Sequence, residues 1–577
     1  MKKFLVDLET DGLLDELTRM HLIVCKDVET GEYLIGRDKK GIKDVLEVIQ
    51  TGHLVGHNLL GFDLEVLKRL YGFTVPTHQV TDTLILSRLR YPDLRNRDFE
   101  KRELDSKLQG SHSLKAWGLR LGFTKGDYGE HEGAWDFYDK EMEEYCIRDV
   151  DLTHKLWEFL DTDRDREDVN LEHEIAKICY DQEWFGFPFD TEKAVKLYAK
   201  IIERKDSLES ELQDAFGSWV LDEGERKKGL YHKISIIKFN PNSRAHIAKR
   251  LRDLRGWEPK DFTPSGEPKV DEKVLSKLDF PEAKLMSEYL MLAKRIGQIS
   301  EGNQGWLKLE KKGRLHGRVN TMGSITSRCS HSHPNTAQVP SIKAPYGKEC
   351  RELFKTDPGF SLLGCDVSGL ELRCLAHYMG RFDGGAYGKV LLEGDIHTAN
   401  QEAAGLPSRD ASKTFIYAFL YGAGDQKIGS ILGKGASVGK KVKNQFLRKT
   451  PALKELRKAV QLKAKKGFLK GLDGRTIPVR SEHSALNTLF QSAGAIICKR
   501  WVVELHKLLQ LEGYTYAQDY AQVAFVHDEI QMLVKEDYVR DIGNLAVKAI
   551  GVAGDAYNFR IPLTGEWTCG RNWAETH

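Results

Sequence analysis

No hydrophobic run in the 577-residue chain approaches the ~18 apolar residues that a membrane span needs, so a soluble protein is expected. Cysteine is scarce and scattered: nine residues between Cys25 and Cys569, an odd number with no CxxC spacing. That argues against a disulfide framework and a structural zinc site, fits a reducing compartment, and directs any search for metal ligands to carboxylates. There is no internal repeat and no low-complexity segment. The start, Met1-Lys2-Lys3-Phe4-Leu5-Val6-Asp7, reaches an acid before an apolar stretch could form, which argues against a secretory signal or a transit peptide. Residues 429–434 and 435–441 are rich in Gly and Lys, yet neither spells GxxxxGK[ST], so a P-loop helicase is not indicated.

Net charge is also nearly missing, at +2 from 87 Lys+Arg and 85 Asp+Glu. The balance is uneven along the chain. Residues 1–165 hold 24 basic and 33 acidic residues, and residues 166–577 hold 63 and 52. Residues 434–480 carry 15 Lys/Arg against Glu455 and Asp473, and residues 226–260 carry 11 against Asp253 and Glu258. A single basic patch is usually a solvated face, but two in one part of the chain favour a polyanionic partner. With 41% hydrophobic and 30% charged residues the chain is globular, and at about 100–200 residues per domain it holds three or four folding units.

Residues 1–160 read as alternating α/β, with short buried strands at Phe4-Leu5-Val6, Leu22-Ile23-Val24 and Leu54-Val55-Gly56 and a helix over residues 141–160. The charged residues 161–168 read as a linker. Residues 172–309 read as mostly helical with a Pro/Gly-rich break at 259–268, and residues 315–380 and 485–577 as mixed α/β around a basic helical block.

Asp7-Leu8-Glu9 closes the first strand, and side chains two apart leave one face of a strand. Asp63 follows the Gly56-His57-Asn58 turn at the start of the next helix, and Tyr145 and Asp149 stack four apart on another. Singly, each acid reads as an ordinary surface carboxylate. Together, four repelling carboxylates need cations, and hard oxygen ligands suit Mg²⁺ or Mn²⁺. The Asp-x-Glu, the His57-Asn58…Phe62-Asp63 and the Tyr145-x-x-x-Asp149 resemble the DEDDy-type 3′→5′ proofreading exonucleases. The resemblance implies that Asp7, Glu9, Asp63 and Asp149 hold two metal ions while Tyr145 positions the attacking water.

Three later segments carry a second chemistry. Phe360-Ser361-Leu362-Leu363-Gly364-Cys365-Asp366 is a buried strand ending in an acid, and Val367-Ser368-Gly369-Leu370-Glu371-Leu372-Arg373 opens a helix. Residues 523–532 read as two strands joined at His527-Asp528. Between them Arg409, Lys413, Tyr417 and Tyr421 recur every four residues, giving a stripe of two cations and two rings along a helix. That stripe suits a triphosphate, a sugar and a base laid lengthwise. Periodicity alone favours a plainer arrangement, with aromatics in the core and cations at the rim.

Residues 366–373 resemble motif A of family A (Pol I-like) DNA polymerases, the stripe resembles motif B, and Val526-His527-Asp528-Glu529 resembles motif C. Thr326-Ser327-Arg328, Gly394-Asp395-Ile396-His397, residues 486–492 and residues 294–298 extend the likeness over nearly the whole chain, and it is greatest toward the compact replicative polymerases of short-tailed bacteriophages. The resemblance implies an α/β plus α+β architecture: an RNase H-like exonuclease domain over residues 1–165, then a right-hand polymerase domain over 166–577, with thumb about 172–309, palm about 310–393 and 481–577, and fingers about 394–480.

It further implies that Asp366 and Asp528, with Val367 beside them, bind two Mg²⁺ ions, as the exonuclease site binds two more, Mn²⁺ serving as a substitute. His397, Arg409 and Lys413 would grip the triphosphate of an incoming dNTP, Tyr417 would pack on the sugar, Glu371 would exclude a 2′-hydroxyl, and Tyr421 would line the templating position. Arg328, Asn487, Gln491 and His527 would touch the minor groove of primer–template DNA, which checks pair shape without reading sequence. The expected function is template-directed DNA synthesis with proofreading, in a phage replicative enzyme of the host cytoplasm. A phage helicase–primase and a single-strand-binding protein are the expected partners.

Two departures stand out. Ser327 occupies a place where family members usually have Gly. The best-known relatives recruit host thioredoxin through a long basic insertion in the thumb, whereas here only residues 220–238 separate Phe216-Gly217-Ser218-Trp219 from Phe239-Asn240-Pro241. No thioredoxin-binding domain of that type is expected. Other readings are a single-subunit RNA polymerase, disfavoured by Glu371 and the proofreading acids, a repair-type Pol I, disfavoured by the lack of room before Asp7 for a 5′-nuclease, and a silent scaffold, disfavoured because no acid is missing.

Overall fold

The computed structural model describes residues 1–576 other than 102–103, 127, 132, 227–230 and 264. Parts of the basic stretch 226–260, of the 220–238 segment and of the 259–268 break therefore lie outside the described residues.

The first strand, β1 (Lys3–Thr10), alternates faces as a strand must. Phe4, Val6 and Leu8 enter one apolar cluster, whereas Leu5 enters another with Met142, Cys146 and Val150 of the Lys140–Leu160 helix. Asp7 and Glu9 share the parity of Leu5, so both lie on the face that this helix covers. The sheet is completed by β2 (Met20–Asp27), β3 (Tyr33–Gly36), β4 (His53–Gly56) and β5 (Val80–Asp82), in the order β3-β2-β1-β4-β5. β1, β2 and β3 pair antiparallel, and β4 and β5 run parallel to β1, in keeping with the RNase H-like expectation.

The charged residues 161–168 do not all form a linker. A helix starts at Glu167 and runs to Phe185, and Asp168 is buried within it, its carboxylate held by Arg166. This helix lies between the two halves of the chain. Ala176 joins the core of the first sheet, while Leu171, Ile175 and Cys179 join that of the second. Its neighbours Glu172 and His173 reach opposite ways. His173 Nε2 accepts the amide of Asp82 at 2.9 Å. Glu172 Oε1 meets Arg475 and Lys499, each at 2.5 Å.

The second sheet has four antiparallel strands, in the order Tyr520–Val526, Glu529–Lys535, Phe360–Val367, Gly565–Gly570. Tyr520–Val526 and Glu529–Lys535 are buried along nearly their whole length, whereas the edge strand Gly565–Gly570 is largely accessible. Leu363, Cys365 and Val367 share a core with Ile542, Ala546 and Ile550 of the Val539–Ala556 helix, and Leu362 packs on the other side with Phe187, Phe354 and Trp573. Two long helices, Thr191–Phe216 and Pro281–Ile296, build the next cluster through Leu208, Leu212, Tyr289 and Leu292. This segment is not helical throughout: Ser218–Arg226 and Tyr231–Lys238 pair as an antiparallel ribbon, with Val220 opposite Ile236.

In the Gly/Lys-rich residues 429–441 the lysines Lys434, Lys440 and Lys441 are exposed, while Gly429 and Gly439 are buried. The stretch spans two helices, Asp425–Ile431 and Ala436–Lys449. A Cβ on Gly439 would lie 1.9 Å from the Asp425 carbonyl oxygen, and one on Gly429 would lie 2.1 Å from that of Gly435. These glycines permit close backbone approach.

Candidate active sites

The first site gathers on β1. Asp139 caps the Lys140–Leu160 helix through the amide of Met142, and the buried stripe Met142, Cys146, Asp149, Val150, Thr153 faces the sheet. That stripe sets Asp149 against Asp7 and Glu9, and the Cys146 thiol lies 3.5 Å from Asp7 Oδ2. Asp63, buried, is the first residue of the Asp63–Tyr71 helix. The preceding turn is pinned by Asp82, whose carboxylate accepts the amides of Asn58 at 2.9 Å and Leu60 at 3.1 Å. Asn58 has a left-handed backbone, φ 63°.

Burial and mutual repulsion disturb all four acids. Burial, then the Asp149 charge, raises Asp7 to about 7. Glu9 is raised by burial and by Asp7, Asp63 is raised by burial and by Asp7, and Asp149 is raised by burial against the pull of Lys125. One buried oxygen, Asp149 Oδ1, has no hydrogen-bond partner, and ligand atoms of Asp7, Glu9 and Cys146 lie within 4.8 Å of one another. Converging, incompletely satisfied carboxylates of this kind fit hard divalent cations. Tyr145 is one residue from Cys146 and packs against Tyr128 and Trp135, at ring separations of 5.7 and 5.9 Å.

The second site forms where the two central strands of the second sheet end. Asp366 pairs across the ladder with Glu529, and the amide of Val367 donates to the carbonyl of Asp528 at 3.1 Å. Asp366, at the strand end, is exposed. Asp528 is raised to about 6, first by burial and then by the charge of Glu371. His527 makes the tight turn with φ 59°. Glu529 is fixed from below, its carboxylate accepting Trp573 Nε1 and Gln531 Nε2, both at 2.7 Å.

The helix Arg409–Leu420 is capped by Ser408, and its core face is Phe415, Ile416, Phe419 and Leu420. Arg409, Lys413 and Tyr421 are exposed while Tyr417 is half-buried against the core, so the plainer core-and-rim arrangement holds only in part. Arg409 pairs with Asp395 at 2.7 Å. Asp395 caps the Ile396–Ala404 helix that carries His397, whose buried Nδ1 has no partner. The Tyr421 hydroxyl donates to Glu371 Oε1 at 2.8 Å, and the Arg328 guanidinium lies 5.9 Å from the Tyr421 ring.

Arg328, Glu371, Tyr421, His527 and Asp528 line one cavity. Gln491 does not line it; its amide donates to Asn487 at 3.2 Å and accepts from Thr326 at 3.5 Å. Ser327 adopts φ 61°, a conformation that glycine takes more readily, and keeps the turn that presents Arg328.

Comparison with known proteins follows this geometry. The model of DNA polymerase family A matches residues 220–575, which include Asp366, the Arg409–Leu420 helix and Asp528. The chain belongs to this family. It is 37% identical over 701 aligned positions to the DNA-directed DNA polymerases of Enterobacteria phage T3 and Escherichia phage T7, covering 99% of this chain and 99% of each relative. Because 701 positions exceed the 577 residues here, those relatives carry segments that this family A chain lacks. Its fold is shared with the polymerase domain of Pol1 from M. smegmatis, solved in complex with DNA primer-template and dNTP. That likeness has TM-score 0.79 at 18% identity, over 99% of this chain and 96% of the other.

Several supports of the two sites carry no sequence signal of their own. Lys125 sits beside Asp149, His173 and Asp82 brace the Asp63 turn, and Trp573 holds Glu529. All act across long sequence separations. Only the step from Tyr145 to Cys146 was open to inspection, as a thiol next to a site residue.

Proposed function

We propose that the chain extends a primer 3′ end on a DNA template at the Asp366–Asp528 site and removes mispaired 3′ ends at the Asp7–Asp149 site. The observation that carries the first half is the pairing of Val367 with Asp528. It brings two acids far apart in sequence to one edge of a rigid sheet, facing the cation-and-ring stripe. Bound there, two divalent ions, Mg²⁺ by the oxygen ligands on offer, would activate the primer hydroxyl and neutralise the departing pyrophosphate.

The chain's own residues do the remaining work. Asp366, Asp528 and the backbone at Val367 would hold the ions. Arg409, Lys413 and His397 bind the triphosphate, which competes with Asp395 for Arg409. Tyr417 supports the sugar. Glu371, held by the Tyr421 hydroxyl, fills the space a 2′-hydroxyl would need. Arg328, Asn487, Gln491 and His527 face the nascent pair, where acceptors common to all correct pairs can be met.

At the other site, Asp7, Glu9, Asp63 and Asp149 would hold the same kind of ion pair, and Tyr145 would orient water at a strand end. The acidic surroundings there suit a frayed single strand better than a duplex. Likeness to two phage enzymes supports a replicative role in a phage-infected cell, alongside a helicase–primase and a single-strand-binding protein. The short 218–238 ribbon supports independence from thioredoxin.

Changing Asp7 and Glu9 together to Ala tests this division. Loss of single-strand digestion with primer extension intact supports two sites, and loss of both activities contradicts it.

A further inference from the structure

Lys125 belongs to no helix or strand. It lies between the Leu114–Arg120 helix and the helical turn Tyr128–Glu130, with its side chain largely buried. Its ammonium is 2.5 Å from Asp149 Oδ2 and 4.9 Å from the centre of the Tyr145 ring. The same charge acts on Asp7 and Glu9. Arg148 is a second cation near Asp149. The loop is pressed onto this helix: a Cβ on Gly126, at φ +33°, would lie 3.5 Å from Arg148 Nη1 and 3.7 Å from Tyr145 Cδ2.

The two oxygens of Asp149 are divided. Oδ2 is taken by Lys125, while Oδ1 is buried without a hydrogen-bond partner. The lysine therefore need not leave for Asp149 to hold a cation through its other oxygen. It fixes which oxygen is offered, and by lying over the Tyr145 ring it constrains where that side chain sits.

We propose that Lys125 is a positioning residue of the strand-end hydrolysis site, orienting Asp149 and Tyr145 together and offsetting the negative charge of the acid cluster. The substrate class is a single-stranded DNA 3′ end, and the inference rests on the exonuclease reading above. Lys125 acts through Asp149 and Tyr145, and it has no part in primer extension, whose residues lie on the other sheet.

The experiment compares wild type, Lys125→Met, Lys125→Arg and the Asp7/Glu9 double Ala variant on a labelled single strand in Mg²⁺. Expected is a loss in kcat of about 10²-fold for Lys125→Met with KM changed little, substantial recovery in Lys125→Arg, and wild-type primer extension in both. A metal-free readout accompanies it: in EDTA, Lys125→Met lowers Tm, and adding Asp149→Asn restores part of it. If wild type degrades the strand and Lys125→Met matches or exceeds it, the lysine only keeps a cation's seat and this proposal falls alone. If wild type does not degrade it, or the double Ala variant still does, the exonuclease reading falls and the proposal with it. A Tm in EDTA unchanged by Lys125→Met would overturn the charge-offsetting role.

Discussion

The backbone amide of Val367 donates to the carbonyl of Asp528 across 3.1 Å. Through that bond the end of one strand and the turn of a hairpin become a single rigid edge, with Asp366 and Asp528 projecting from it. Carboxylates that must share ions gain from such fixed backbones, because little reorganisation remains when the ions arrive.

On the proposed reading Glu371, held by the Tyr421 hydroxyl at 2.8 Å, excludes a 2′-hydroxyl. Glu371→Ala opens the space under Tyr417 and should raise ribonucleotide incorporation relative to deoxynucleotides by about a hundredfold. Single-nucleotide kcat/KM values for matched dNTP and rNTP check this. Unchanged discrimination would remove Glu371 from that role.

Asp528 makes the metal requirement depend on pH. Its carboxyl is raised from 3.8 to about 6, and only the ionised form binds a cation. Half-maximal Mg²⁺ for extension should be flat above about pH 6 and climb up to about tenfold per pH unit below it. Without metal, between pH 3.8 and about 6 the folded state holds a proton that the unfolded state has released, so stability falls as pH rises through that window. Asp528→Asn should therefore raise Tm in EDTA at pH 8, with the gain shrinking toward pH 4.

Glu172 joins distant parts of the chain. Its fully buried carboxylate meets Arg475 and Lys499, and Arg475 is also held by Asp473 at 2.6 Å. Glu172→Ala leaves two buried cations short of an anion, at a cost of about 3–5 kcal/mol. Denaturant melts should show it, and extension and digestion should weaken together at elevated temperature.

Trp573 supports Glu529. Trp573→Phe keeps the ring but removes the donor at 2.7 Å, a loss of about 1.5–3 kcal/mol for a bond to a charged group. Extension should slow more than digestion of single strands, measured side by side on one preparation.

Much of this was legible in the chain because period and placement carried it. Asp7 and Glu9 are two apart on a strand, Tyr145 and Asp149 are four apart on a helix, and Asp366 ends an apolar run. The stripe from Arg409 to Tyr421 was visible as a period, but its outward direction was not. The buried side had to be identified by packing Phe415 and Phe419 against Phe446, with ring separations of 5.2 and 5.5 Å.

The 218–238 ribbon escaped because Val220 and Ile236 are 65% and 77% exposed, so no buried face gave the alternation a meaning. Gly429 and Gly439 carry no mark in the sequence of the carbonyls that approach them, those of Gly435 and Asp425. Lys125 lies on a loop with no period at all, and only the fold sets it on Asp149.

The most direct test of the two-site account is a single assay of Asp528→Asn on a labelled primer–template in Mg²⁺, with all four dNTPs present. The account predicts that extension falls by about 10³-fold or more while the primer is still shortened from its 3′ end. Continued extension at near wild-type rate, or loss of shortening together with extension, would contradict it.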